Sequence, residues 1–246
     1  MDDEPRTGAS PLPDRVLRFE VITVLLVVVL PWTAAGLYRL VRYLATGERA
    51  RLITVDIVSH LTLDVVVQVA LLVAASMGVV LVAYVLSRSG ESLRSIGLTL
   101  PSARDVGLSV AFTVLFLVLA PVVGAIIVNG LGFHGISRTA TPYLGLTYLP
   151  VGLVSSLRAG LLEEVVVCGY LITRLRQVGW SDRKALYTST AVRASYHVYG
   201  GVFLVCFTVL FGLVLGRFYE KTQRLSVVVM THVFYDAVLF TIALAR

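Results

Sequence analysis

Apolar runs separated by short polar segments recur along the whole chain. A helix needs roughly 20 largely apolar residues to cross a bilayer. On that measure the pattern predicts about seven transmembrane helices, over Phe19–Leu40, Leu63–Leu86, Val106–Asn129, Val151–Arg174, Asp182–Tyr199, Val202–Tyr219 and Leu225–Ala245. Pro31 predicts a kink in the first. The mixed segment before Leu63 reads as interfacial, and the Gly-, Pro- and aromatic-containing stretch before Val151 reads as an external loop. There is no internal repeat and no low-complexity tract. The expected fold is an all-α polytopic membrane helix bundle. It divides into a polar N-terminal tail at 1–18, an N-terminal membrane region of three spans at 19–147, and a four-helix C-terminal region at 148–246. No A-x-A-like cleavage site ends the first apolar run, which therefore reads as a retained helix and not a removed signal peptide.

Composition agrees with burial in lipid. The hydrophobic fraction is 57% and only 15% of residues are charged, where a soluble domain has about a quarter. Mean hydropathy is +0.86. The net charge of +6 does not point to nucleic acid, because the basic residues sit in short loops between apolar runs, where they meet anionic lipid headgroups. Cys168 and Cys206 both fall in apolar segments, with no CxxC pair and no implied disulfide framework. Lysine occurs only at Lys184 and Lys221, a bias toward arginine that hints at a GC-rich bacterial genome and hence a bacterial inner membrane.

The basic residues also predict orientation. Arg6, Arg15 and Arg18 precede the first span; Arg88, Arg94 and Arg104 follow the second; Arg174, Arg176, Arg183 and Lys184 follow the fourth; Arg217, Lys221 and Arg224 follow the sixth. Against these thirteen, the opposite side holds six, four of them (Arg39, Arg42, Arg49, Arg51) in the dissenting first loop. The positive-inside bias favours a cytoplasmic N-terminus.

Charges inside a span are costly unless they are paired or face a wet cavity, so they mark candidate functional sites. The first three predicted spans hold almost none, whereas the last four hold Arg158, Glu163, Glu164, Arg193, His197, His232 and Asp236. At about 1.5 Å of rise per residue, three separate helices bring the acids and imidazoles to similar depth. Facing one another, they would form one polar cavity suited to activating water. One glutamate could act as general base while its partner holds a proton, the two histidines could bond a developing oxyanion, and Asp236, one turn from His232, could orient an imidazole. Each residue also has a structural reading. Glu163 and Glu164 could pair with Arg158 or Arg193, His197 could pack between Tyr196 and Tyr199, and His232 with Asp236 could clamp two helices. Those readings weaken when all must hold together in one third of the chain. His60 and His134 read as structural, and Trp180 as an interfacial belt residue. Glutamate, histidine and aspartate are also metal ligands, although no HExxH is present, and spacing alone leaves a metal open.

The order EEVVVCGYL from Glu163, RASYH ending at His197, and HVFYD from His232 to Asp236 resembles the CAAX protease and bacteriocin-processing (CPBP, or Abi) family. Its motifs are EExxxR, FxxxH and HxxxN/D on successive membrane helices. The likeness covers roughly Pro150 to Leu244, so that 148–246 would be a CPBP-like catalytic core. It implies an intramembrane endopeptidase of the metal-free glutamate type, needing no cofactor. The first reading is then a hydrolase that cleaves a membrane-associated protein or peptide at or near the cytoplasmic membrane face. Glu163 would be the water-activating base with Glu164 beside it, His197 and His232 would bind the oxyanion, and Asp236 takes the Asn/Asp position. Two positions depart from the pattern. Cys168 stands where the family has arginine, and Arg193 where it has phenylalanine. The expectation is that Arg193 substitutes spatially for the missing cation and pairs with the glutamates. The rival reading is a catalytically degenerate scaffold or regulator that binds another membrane protein. A proton-coupled transporter would instead predict inverted repeats, which are not seen.

Overall fold

The computed structural model describes residues 12–47, 50–51, 60–131, 137–138 and 145–245. Expectations for tail residues 1–11 and for His134 fall outside these. Among the described residues, seven helical rods run back and forth: α1 (Asp14–Thr46), α2 (Leu61–Ser87), α3 (Ala103–Gly130), α4 (149–177), α5 (Asp182–Ser195), α6 (Gly201–Thr222) and α7 (Leu225–Leu244). A two-residue parallel pairing of 50–51 with 137–138 links two loops. By length and composition, α1, α2, α3, α6 with its lead-in turn from Val198, and α7 are apolar enough to cross a membrane. The charged residues Arg158, Glu163, Glu164, Arg174 and Arg176 make α4 more polar than these five. At 14 residues, α5 is only about 21 Å long.

Side-chain bonds tie the start of α1, the end of α2, the start of α3, the end of α4 and the α6–α7 turn into one end of the bundle. Arg174, fully buried on α4, reaches Glu91 at 2.5 Å, Ser89 Oγ at 2.8 Å, the Val85 carbonyl at 3.0 Å and Glu20 of α1 at 3.7 Å. Arg224 pairs with Asp105 at 2.9 Å, and Ser226 Oγ donates to the Thr99 carbonyl at 2.5 Å. Asp105 also closes a capping box with Ser102 that starts α3. This is the basic end of the molecule.

The core is continuous across residue 147. Val24 and Val28 of α1, Leu86 of α2 and Phe116 of α3 pack in one cluster with Val165–Val167 of α4 and Phe211 of α6. The centre of the bundle is the α4–α7 pair. Gly152, Ser156 and Gly160 form a small-residue stripe at i, i+4 and i+8, all buried. Among membrane helices, where lipid is as apolar as leucine, such stripes allow close approach and dispersion contact. A Cβ at Gly160 would meet Val233 Cγ2 at 2.6 Å.

α5 stops at Ser195, four residues before the expected end at Tyr199. Tyr196 (φ −94°, ψ 1°) and His197 (φ −103°, ψ 4°) leave the helix, a short 3₁₀ turn follows at Val198–Gly200, and Gly201 at φ 72° redirects the chain into α6. α1 packs directly on this irregular turn. Thr33 Oγ1 and Ser195 Oγ share a hydrogen bond of 3.0 Å, and a Cβ at Gly36 would stand 2.9 Å from the Tyr196 carbonyl oxygen. Gly36→Val should therefore destabilise the protein by about 1–3 kcal/mol, the usual cost of overpacking. That loss is read as a lower thermal midpoint in detergent, and an unchanged midpoint would refute the close packing.

Candidate functional site

The EExxx segment begins where α4 changes its winding. Glu163 ends the regular helix and Glu164–Tyr170 forms a wide π turn, a feature that often marks functional sites because it re-aims side chains. Carbonyls of this turn find side-chain donors: Ser189 Oγ of α5 donates to the Val167 carbonyl at 2.7 Å, and the Tyr219 hydroxyl donates to Gly169 at 3.3 Å. Adjacent residues of a helix point in different directions, and the two glutamates face different surroundings.

Glu164 is 0% exposed and both its oxygens are engaged. Arg193 Nη2 of α5 donates to Oε2 at 2.5 Å, and His232 Nδ1 of α7 donates to Oε1 at 2.6 Å. Glu163 is 22% exposed and turns toward an open cavity. Its Oε2 accepts from the Tyr196 hydroxyl at 2.9 Å and lies 3.6 Å from Arg193 Nη1. The buried guanidinium thus touches both carboxylates, as expected from the exchange of charges between positions 168 and 193. Cys168, the position of the lost arginine, is buried one turn along the same π segment. Arg193 also lies over the Phe211 ring, with 5.6 Å to its centroid, while His232 meets that ring edge-on at 5.4 Å.

The two histidines differ. His232 Nε2 lies 3.4 Å from Asp236 Oδ2, so its ring bridges two acids. His197 sits past the end of α5, and its Nδ1 lies 2.9 Å from the Arg193 carbonyl. A carbonyl only accepts, so the proton of a neutral His197 is on Nδ1, and Nε2 carries the free lone pair.

These groups line one cavity of about 330 Å³. Glu163, Arg193, His197, His232 and Asp236 all contribute to it, while Glu164 lies behind the wall. Val28, Trp32, Gly36 and Arg39 of α1 form the facing wall, so the first helix is part of the site. Sequence reasoning missed this wall, because nothing in an apolar run marks which face meets a distant motif. It also took Tyr196 only as a packing neighbour of His197 and missed its hydroxyl as a donor to Glu163. Of the two arginines it offered as partners for the glutamates, Arg193 contacts both, and Arg158 lies over the Trp32 ring, 5.8 Å from its centroid. Among the described residues, no three His, Cys, Asp or Glu side chains form a metal-holding group.

The chain is thus a polytopic membrane protein whose carboxylates and imidazoles meet inside its helices. No curated protein and no solved structure matches it. Residues 145–238, from just before α4 through the Asp236 turn of α7, match the family described as Type II CAAX prenyl endopeptidase Rce1-like, and this stretch holds Glu163, Glu164, His197, His232 and Asp236.

Proposed function

We propose that the protein is an intramembrane endopeptidase of the glutamate type, in which Glu163 activates water against a peptide carbonyl. The observation that carries this reading is the division of labour between the paired glutamates. Glu164 is spent on Arg193 and His232, whereas Glu163 keeps access to the cavity. Water held between Glu163 and the bare Nε2 of His197 loses a proton to the carboxylate as its oxygen attacks the carbonyl carbon. The proton then passes to the leaving amine as the carbon–nitrogen bond breaks. His232, with protons on both nitrogens, donates Nδ1–H to Glu164, and its Nε2–H, held only loosely by Asp236 at 3.4 Å, turns to the developing oxyanion while the Asp236 charge steadies the ring. His197 thereby moves from oxyanion donor to partner of the base, because its Nδ1 proton is committed to the Arg193 carbonyl. Arg193 and Tyr196 hold the carboxylates in place.

The test is cleavage of membrane peptides by the full chain in proteoliposomes, with products identified by mass spectrometry. Wild type should cleave equally with and without a chelator, and His197→Ala should lose about 10²–10⁴-fold, the usual contribution of general acid–base catalysis. Abolition by the chelator would overturn the metal-free reading, and full activity in His197→Ala would overturn the role given to that ring.

A further inference from the structure

The cavity occupies only one half of the bundle. Its floor is Val166, Val167, Arg193 and Phe211. From Val167 to the end of α4 at Gln177 is about 15 Å of helix. Below the floor the interior is filled by Leu171, Tyr219, Leu225 and Ile96, and Arg174 with Glu20 and Glu91 ties the basic end together. In the other direction the lining runs to Gly152, Phe240 and Arg39. These lie within two turns of the start of α4, the end of α7 and the end of α1. Among the described residues, none of the lining comes from α2, α3 or the basic-end loops. The irregular backbone at 196–200 faces this same space, and non-helical backbone at membrane depth is tolerated where it lines a water-filled cavity.

Among the described residues the basic end carries twelve Lys and Arg against four at the other, and the positive-inside rule puts the richer end in the cytoplasm. A cytoplasmic N-terminus and cleavage at the cytoplasmic face are then incompatible, because α1 starts at the end the cavity avoids. We propose that the cavity faces the extracytoplasmic side, so that its substrate is an apolar peptide segment presented from that side, as in the outer portion of a membrane-anchored or exported chain. The walls suit such a segment: Trp32, Phe203, Phe207 and Leu239 are apolar, with Arg39 and Arg158 to meet its carbonyl or carboxylate oxygens. The substrate part of this proposal rests on the peptidase reading, whereas the sidedness does not.

The experiment is substituted-cysteine accessibility of the full chain in a bacterial inner membrane. It uses Cys206→Ser, which leaves only the buried Cys168. Ser155→Cys puts a thiol on the cavity wall, and Ser95→Cys puts one in the exposed loop between α2 and α3. A membrane-impermeant methanethiosulfonate is applied to spheroplasts or to inverted vesicles, and the remaining thiols are counted with a permeant maleimide. Applied from outside, it should abolish maleimide labelling of Ser155→Cys and leave Ser95→Cys intact; applied to inverted vesicles, it should abolish labelling of Ser95→Cys. The proposal is overturned if Ser95→Cys is blocked from outside, if Ser155→Cys is blocked only from the cytoplasmic face, or if Ser155→Cys is blocked from neither. No turnover is measured, so an inactive protein gives the same labelling, and failure of the peptidase reading stays distinguishable.

Discussion

Arg193→Met is expected to lower the unfolding free energy in detergent by about 3–5 kcal/mol, the range for removing one partner of a buried ion pair. The guanidinium is 4% exposed and bonds Glu164, which water cannot reach. Without it the buried carboxylate keeps only His232, and Glu163 loses its neighbouring cation. Methionine fills similar volume, so the loss reports charge and not a cavity. The paired test restores the family pattern. Arg193→Phe alone should be comparably destabilised, and Cys168→Arg alone should suffer from a second cation in a packed interior. The double variant Cys168→Arg/Arg193→Phe should recover stability, with a coupling energy of about 1–3 kcal/mol in a double-mutant cycle. A double variant no better than the sum of its parts would show that position 168 cannot reach Glu164, and that the two departures are unrelated.

That exchange shows what was legible in the sequence and what was not. Five of the seven described rods follow from apolar runs of membrane length, because each helix bonds its own backbone and its existence is a local property, whereas α4 is more polar and α5 is shorter. The convergence of Glu163, Glu164, Arg193, His232 and Asp236 was also legible, since charges this deep in apolar helices must find one another. Burial of Glu164 and exposure of Glu163 was not. Consecutive helix residues already point about 100° apart, and which of the two faces the cavity depends on how α4 is turned in the bundle, which leaves no hydrophobic signature. The early end of α5 was equally hidden. His197 leaves the helix because Gly200 and Gly201 follow within four residues and α1 packs on the turn through Gly36. Sequence periodicity reports local winding, whereas this break is set by a helix more than 150 residues away. The same distance hid α1 as a wall of the site, so the sequence boundary at 147 crosses a continuous core.

Glu163→Gln and Glu164→Gln should part company in a way that tests the division of labour between them. The Glu163→Gln amide is nearly isosteric, and its oxygen can still accept from the Tyr196 hydroxyl, so the fold should lose little, within about 1 kcal/mol. It cannot take a proton from water, and the peptidase rate should fall by about 10²–10⁴-fold in kcat with KM little changed, the contribution expected of a general base. Glu164→Gln removes the charge that both Arg193 and His232 bond, leaving a buried guanidinium with only the longer 3.6 Å contact to Glu163. Its stability should fall by about 3–5 kcal/mol, and its rate should fall as a consequence, together with any rise in KM from a displaced His232. The discriminating quantity is loss of rate at fixed stability, measured on protein still folded at the assay temperature. If Glu164→Gln stops turnover with its thermal midpoint unmoved while Glu163→Gln stays active, the two glutamates have exchanged roles, and the base works from behind the cavity wall through His232.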